Sequence, residues 1–342
     1  MNKIIKWGFI GLGNAANNLS KEFHKFRNIK LSAIASKSED KIKKFQKTFK
    51  LIKKNIYHDY NQIIFNKEID IIYISLTNNF HKEFCIKALK NKKNILIEKP
   101  IVTNFKDFQD IKNIIKKNLI FEEGLAYRFH PFYNNIINSL KNINKSEILS
   151  IKSSFGNDAI GGKKILGIRF KKINTDKRFF NYKLGGGSIL DGGIYPISLI
   201  TDILFSKYNN LDFDLKILSC KKKKISNGCD INASIQMKLD AINIILETSL
   251  EKNLRNYLEI STTRGNIIFE NIFHLDQRSF IMKNFNGFKK IIKCKNKNNS
   301  YYYQIKYLSN LLNNKKKIIN NYSENIIKKE FNMKLLSKWL NY

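Results

Sequence analysis

The chain is poor in the residues that break or staple structure. Only 3 prolines and 4 cysteines occur in 342 residues. Cys85, Cys220, Cys229 and Cys294 form no CxxC pair, so neither a zinc ribbon nor a dithiol redox motif is indicated. Free thiols in a reducing compartment are the expectation. Long apolar runs are also missing. Residues 69–76 contain Asp70, and no run approaches the ~20 apolar residues of a membrane-spanning helix. The apolar segment 4–10 leads straight into a glycine-rich turn without a small-residue cleavage site, which marks a first strand rather than a secretion signal. His24, His58, His81, His130 and His274 show no metal-ligand spacing, so no metal is expected. These absences point to a cytoplasmic protein with no membrane segment.

Acidic residues are scarce as well: 28, against 62 lysines and arginines, for a formal net charge of +34. Such an excess suits phosphate backbones. However, the basic residues are spread along the whole chain. Their densest runs, 221–224 and 315–317, are short and lack interleaved aromatics on which bases would stack. Lysine, asparagine and isoleucine crowd every segment, the pattern of an AT-rich coding sequence. No nucleic-acid partner is expected.

The first 120 residues alternate short apolar runs (4–10, 31–35, 69–76, 94–97 and 119–122) with segments of helical period. In the first such segment Ala16, Leu19, Phe23 and Phe26 recur at steps of 3, 4 and 3. This alternation predicts βαβ units and a parallel sheet, which binds ligands at the carboxyl ends of its strands. After about residue 123 the rhythm changes. A helix over 131–140 precedes β-like runs at 148–155, 215–219, 230–239, 242–250, 257–262 and 266–269. No helical crossovers separate the later runs, so they should pair antiparallel. Thr263-Arg264-Gly265-Asn266 reads as a hairpin turn. Helical period returns at 302–312 and 326–340.

Four motifs carry chemistry. Gly11-Leu12-Gly13-Asn14-Ala15-Ala16 is a GxGxxA sequence between a predicted strand and a predicted helix. Gly11 allows the turn, Gly13 lets backbone approach a pyrophosphate, and Ala16 lets helix and strand pack closely. The second strand ends in Ser36-Lys37-Ser38, without the carboxylate that would hold a ribose 2′-hydroxyl. A hydroxyl and an ammonium there suit a 2′-phosphate, so NADP is the expected cofactor, with NAD as the alternative. Glu98-Lys99-Pro100 ends the strand at 94–97 and would project an ionisable pair from the carboxyl edge. Finally, Gly185-Gly186-Gly187-Ser188 leads into Asp191 and Tyr195, whose spacing of four puts both on one helix face. The glycines suggest close approach of a ligand. A carboxylate and a phenol near a lysine make a proton-transfer set.

With Ser75-Leu76-Thr77-Asn78-Asn79-Phe80-His81 and Tyr127-Arg128-Phe129-His130-Pro131, these motifs resemble the glucose–fructose oxidoreductase / inositol dehydrogenase (Gfo/Idh/MocA) family over nearly the whole chain. Within it they are similar to the branch of dihydrodiol dehydrogenases and NADP-dependent D-xylose dehydrogenases, and to ketoreductases of nucleotide-linked 3-ketosugars. All three prolines, Pro100, Pro131 and Pro196, fall inside these motifs.

The resemblance implies an α/β fold. An N-terminal Rossmann dinucleotide-binding domain would span 1–123. An α+β domain with a large, open, mostly antiparallel sheet would span 124–342, its last helix packing back on the first domain. It implies cofactor contacts from Gly11, Gly13, Asn14, Ala15, Ala16, Ser36, Lys37, Leu76, Thr77, Asn78, His81, Glu98 and Lys99. Catalysis would fall to Lys99, Asp191 and Tyr195, and substrate contacts to Tyr127 and Arg128. The implied activity is NADP(H)-dependent hydride transfer to or from a sugar, sugar derivative or polyol, by a homodimer or homotetramer. A nucleotide-linked 3-ketosugar ketoreductase is the alternative. A non-catalytic cofactor- or sugar-sensing regulator on the same fold is the alternative of another class, although such relatives typically lack the lysine of EKP. Departures from the family pattern are Tyr195 where histidine is common, Thr77 where proline is common, and the small stretch Gly124-Leu125-Ala126, which should alter the substrate pocket.

Overall fold

The computed structural model describes residues 3–161, 163–165, 168–170 and 173–342. Contacts divide the chain into two compact units. One comprises Met1–Val102, Lys106–Phe129 and Tyr301–Ile326, the other Thr103–Phe105, His130–Ser300 and Ile327–Tyr342.

In the first unit, strands β1 (Ile5–Ile10), β2 (Ile29–Ala35), β3 (Ile56–Tyr57), β4 (Ile71–Ile74), β5 (Asn94–Ile97) and β6 (Phe121–Glu123) form one sheet, ordered β3-β2-β1-β4-β5-β6. Every pairing is parallel. The order reverses between β1 and β4, the place where such sheets open a crevice for ligand. Helices α1 (Asn14–Ser20), α2 (Glu39–Phe49), α3 (Tyr60–Phe65), α4 (His81–Lys90) and α5 (Phe105–Lys112) follow successive strands. β4 is buried throughout and β1 everywhere but Lys6, as strands covered on both faces must be.

Ala16, Leu19 and Phe23 are buried, as their period implies, but α1 stops at Ser20 and Phe23 sits in a separate 3₁₀ turn. Asn14, Asn17 and Asn18 are weak helix formers inside α1, and the helix is short. Phe23 meets Trp7 and Phe9 edge-on, each at 5.7 Å. The same core takes Ile305, Leu308 and Leu311 from the distant segment after residue 300, together with Ile318. Trp7 Nε1 donates to Ser309 Oγ at 3.0 Å.

In the second unit, helix α6 (Pro131–Leu140) precedes β7 (Ile148–Gly156) and a small antiparallel pair, β8 (Lys163–Ile165) and β9 (Ile168–Phe170). Helix α7 (Ile194–Tyr208) follows. Then come β10 (Lys216–Lys224), β11 (Asp230–Leu239), β12 (Ile242–Ser249), β13 (Tyr257–Thr262), β14 (Gly265–Glu270), β15 (Phe280–Phe285) and β16 (Phe288–Lys293). With β7 they make an eight-stranded sheet, ordered β10-β11-β12-β7-β13-β14-β15-β16. All its pairings are antiparallel except β12 with β7, because β7 precedes α7 and enters from the same end as β12. Helices α8 (Ser300–Leu311) and α9 (Lys315–Asn341) complete the chain, and the contact boundary divides α9 at residue 326.

One segment corrects the sequence reading of apolar runs. Tyr182–Tyr208 is long and apolar enough to cross a membrane by length and composition, yet 89% of its most apolar window is buried. It is a core segment of the second unit, with α7 packed on β7 and β12.

Candidate active site

The carboxyl edge of the first sheet gathers most of the residues expected to hold cofactor. Gly11 closes the turn after β1 with φ +86°, and a Cβ there would lie 2.8 Å from the Ser75 carbonyl oxygen. Only glycine fits both demands. Ser75 Oγ donates to the Gly11 carbonyl at 2.8 Å, tying the turns after β1 and β4 together. Gly13, by contrast, has open space: the nearest atom to a Cβ would be 4.0 Å away. It caps α1, whose first turn has no acidic side chain, and Asn14 and Ala15 open that helix. Ala16 is buried. The cradle thus fits an anionic pyrophosphate by shape and polarity.

Ser36 is buried and its Oγ accepts from the Ser38 amide at 3.1 Å. Lys37 is exposed, with Nζ 5.9 Å from the centre of the Tyr60 ring. Burial pushes the Tyr60 phenol above its ordinary value, opposed by the Lys37 backbone amide. After β4, Leu76 and Thr77 are half-buried and Asn78 is buried. His81 starts α4 fully buried, with Nδ1 2.8 Å from the Pro100 carbonyl oxygen and Nε2 3.1 Å from that of Leu76. One ring therefore joins the loop after β4 to the turn that carries Lys99.

That turn contains a cis Lys99-Pro100 bond. Tyr73 donates its hydroxyl hydrogen to Glu98 Oε1. Glu123, buried at the end of β6, accepts from the Ile101 amide at 3.2 Å. Sequence reasoning missed Tyr73 and Glu123, since each looks like an ordinary strand residue. Gly124 acquires a different meaning from the one expected. A Cβ there would meet Glu98 Oε1 at 3.1 Å, so the small residue makes room for Glu98. Tyr127 and Arg128 lie in a 3₁₀ turn, Ala126–Phe129, with Tyr127 fully buried and Arg128 half-buried.

Asp191 and Tyr195 belong to the second unit. The glycines before them were expected to admit a ligand. Among the described residues it is the protein's own chain that comes close. A Cβ on Gly186 would lie 2.5 Å from the Arg178 carbonyl oxygen, and one on Gly187 2.6 Å from Asp230 Oδ1. Asp230, at the start of β11, accepts from Ser188 Oγ at 2.5 Å and from the Ile189 amide at 2.8 Å. Thr248 of β12 donates to the Ser188 carbonyl at 3.0 Å.

Ile189–Gly193 then forms a π-helical turn that runs into α7. Asp191 is thus on a wider turn than the α-helix expected, with Tyr195 the second residue of α7. Gly192 and Gly193 permit this, because a Cβ would meet Thr248 Oγ1 at 2.3 Å or Trp339 Cζ3 at 3.0 Å. π-turns recur at functional sites.

Asp191 is buried, and Arg178 Nη2 lies 3.0 Å from its Oδ1. The Tyr195 ring is flanked by Phe155 at 4.5 Å, Phe273 at 5.5 Å and His274 at 6.3 Å between centroids. His274 Nδ1 accepts from Asn256 Nδ2 at 3.2 Å, so a neutral ring carries its proton on Nε2. Neither Arg178 nor His274 stands in a motif, which is why the sequence did not single them out. Among the described residues no three His, Cys, Asp or Glu side chains gather as metal ligands.

The doubly wound sheet and its glycine turn define a dinucleotide-binding Rossmann domain joined to a domain built on a mixed eight-stranded sheet. Residues 5–120, about a third of the chain, match the model of the Gfo/Idh/MocA oxidoreductase family, NAD-binding Rossmann fold. It is 27% identical over 199 residues to a trans-1,2-dihydrobenzene-1,2-diol dehydrogenase of Xenopus tropicalis, covering 57% of this chain and 56% of that one. The match therefore spans little more than half of that relative. It is 21% identical over 285 residues to a D-xylose 1-dehydrogenase (NADP(+)) of Hypocrea jecorina, covering 77% and 71%. A mutant 3-ketoreductase from Actinomadura kijaniata, solved with TDP-benzene and NADP, superposes with a TM-score of 0.81 at 17% identity over 98% of this chain and 96% of that one. At that identity the likeness is one of fold.

Proposed function

We propose that this protein is an NADP(H)-dependent oxidoreductase that interconverts a hydroxyl and a carbonyl on a sugar, sugar derivative or related alcohol. The observation that carries this reading is the unbroken chain of contacts along the carboxyl edge of the first sheet. It runs from Gly11 through Ser75 and Leu76 to His81, and from there to the Pro100 carbonyl beside Lys99. The cradle for a dinucleotide and the ionisable residue at the end of β5 are thereby built as one rigid edge. The relatives named above act on diols and sugars, and two of those names include NADP.

Bound cofactor would supply or accept the hydride. Lys99 would stabilise charge developing on the substrate oxygen, Tyr195 would deliver or remove the proton, and Asp191 would orient the reacting hydroxyl. Gly11, Gly13, Asn14, Ala15, Ala16, Ser36, Lys37, Leu76, Thr77, Asn78, His81 and Glu98 would bind or support cofactor, and Tyr127 and Arg128 would line the substrate side. The four cysteines, all free thiols, suit a reducing cytoplasm. A homodimer or homotetramer would cover Leu149, Leu218 and Ile291, which the large sheet leaves roughly half exposed.

The test is to follow nicotinamide absorbance with a panel of aldoses, polyols, trans-dihydrodiols and a nucleotide-linked 3-ketosugar. Turnover with at least one, faster with NADPH than with NADH, is expected. Tight NADPH binding with no turnover on any of them would instead favour a cofactor sensor.

A further inference from the structure

We propose that Arg178 is a positioning residue of this site: its guanidinium holds Asp191 as a carboxylate, in one fixed orientation, so that Asp191 accepts a hydrogen bond from the substrate hydroxyl. The proposal rests on the functional reading above and adds a residue that none of the motifs contains.

The backbone around Arg178 is anchored on both sides. Gly186 N–H donates to the Asn181 carbonyl and Gly187 N–H to the Phe179 carbonyl, each at 2.9 Å. Phe180 is fully buried against Ile160, Ile231 and Leu250. Any Cβ on Gly186 would strike the carbonyl oxygens of Arg178, Phe179 and Asn181 at 2.5–2.8 Å. The glycine run therefore serves to seat the Arg178–Asn181 turn directly on the segment that carries Asp191.

The side chain is placed as firmly. The guanidinium lies 4.3 Å from the centre of the Phe179 ring, and Nη2 lies 3.0 Å from Asp191 Oδ1. The Asp191 side chain is 10% exposed and that of Arg178 32%. An ion pair in water is worth little, but removing a cationic partner from a buried carboxylate makes its charge costlier and favours the protonated form. A protonated Asp191 would donate where it should accept.

The other ionisable groups on the elements packed against this turn are few. Asp230 of β11 is engaged by Ser188 and Ile189. Tyr195 lies on α7. Lys152 of β7 and Glu247 of β12 alternate to the other face from Phe155 and Thr248. Arg178 is a cation within hydrogen-bond range of the carboxylate.

The experiment compares Arg178→Met and Arg178→Lys with the wild type. The pH profile of kcat/KM is measured on whichever panel substrate the wild type turns over. NADPH binding is measured by fluorescence, and the Asp191 carboxyl is titrated by ¹³C NMR, assigned through Asp191→Asn. Arg178→Met should lose at least ~10-fold in kcat/KM near neutral pH and move both the acid limb and the NMR titration upward by about one unit or more. NADPH binding should stay within twofold. Arg178→Lys should keep the acid limb while losing part of the rate, since an ammonium supplies charge without the fork. An unchanged acid limb and an unchanged Asp191 titration in Arg178→Met overturn the proposal. A wild type inactive on the whole panel would sink the functional reading instead, and the NMR titration would still decide the pair.

Discussion

Lys37 and Ser36 bear most of the cofactor question. A 2′-phosphate adds nearly two negative charges, and no carboxylate stands at the end of β2 to repel it. Lys37 is exposed and leans toward Tyr60, so its stem is free to swing without unpacking the core. A single charge-assisted contact contributes roughly 1.5–3 kcal/mol, which predicts at least ~10-fold preference for NADPH in kcat/KM. Ser36→Asp with Lys37→Ala should reverse the preference, and equal efficiencies in the wild type would refute the role given to Lys37. For the chemistry, Tyr195→Phe and Lys99→Met should each lose at least ~100-fold in turnover while still binding NADPH. Near-normal rates in both would remove them from the mechanism. His274, in the aromatic group around Tyr195, is best tested by His274→Asn. If it helps to reprotonate Tyr195, added imidazole should restore lost turnover, whereas a packing role would leave imidazole without effect. At this scale the sequence was legible where a motif compresses the chemistry, as at Gly11 and Lys99. It was opaque where a contact joins distant residues, as between Arg178 and Asp191 or Tyr73 and Glu98, because no local pattern encodes such partners.

Elements with strong local signals lie where the sequence places them. α6, β5, β11 and β13 span the expected residues, because proline at a helix start, alternation and turn chemistry all agree there. The β15–β16 hairpin was missed although Asn286-Gly287 marks it: both residues have positive φ and Phe285 pairs with Phe288 across the turn. The many lysines on those strands hid the alternation. The π-turn at Ile189–Gly193 was not legible either, since it depends on Thr248 and Trp339 arriving from elsewhere. One helix start makes a pH prediction. His130 Nδ1 accepts the Phe132 amide at 3.2 Å and caps α6. Burial pulls the His130 imidazole below its ordinary value, opposed by the Asn298 backbone and the charge of Asp276. A folded value below the unfolded one means that the cap's contribution is complete above about pH 6.5 and fades as pH falls through the folded value. His130→Asn retains a capping oxygen without a titrating ring. Its Tm should therefore fall less than the wild type's between neutral and mildly acid pH, by about 2–4 °C if the cap is worth ~1 kcal/mol. Parallel pH dependences of Tm would show that the ring's protonation does not matter to stability.

Across the molecule, lysines occur on both units, and several are paired with acids. Lys3–Asp70 and Lys82–Asp107 lie on the first, Lys223–Glu251 and Lys334–Asp214 on the second. Binding to duplex DNA should accordingly be weak, with a shallow dependence of log K on log salt, and be gone near ~0.2 M. A steep slope would show a built phosphate surface. The two-sheet architecture was legible because strand–helix alternation gives way to uninterrupted strands. A return to the first domain was expected of the last helix, about 326–340, whereas contacts group Tyr301–Ile326 with the first unit and Ile327–Tyr342 with the second, since helical period does not say which core a helix will join. That return has a consequence for the order of events during synthesis. The first unit's core waits for Ile305, Leu308, Leu311 and Ile318, and the turn that carries Asp191 waits for Trp339 to slide under Gly193. A nascent chain still being translated at residue 300 therefore has two unfinished cores and none complete. Sheet edges and apolar faces that other proteins bury one domain at a time stay open together until α8 and α9 have been made, which makes this a chain expected to lean on chaperones during synthesis and to tolerate truncation within α9 poorly.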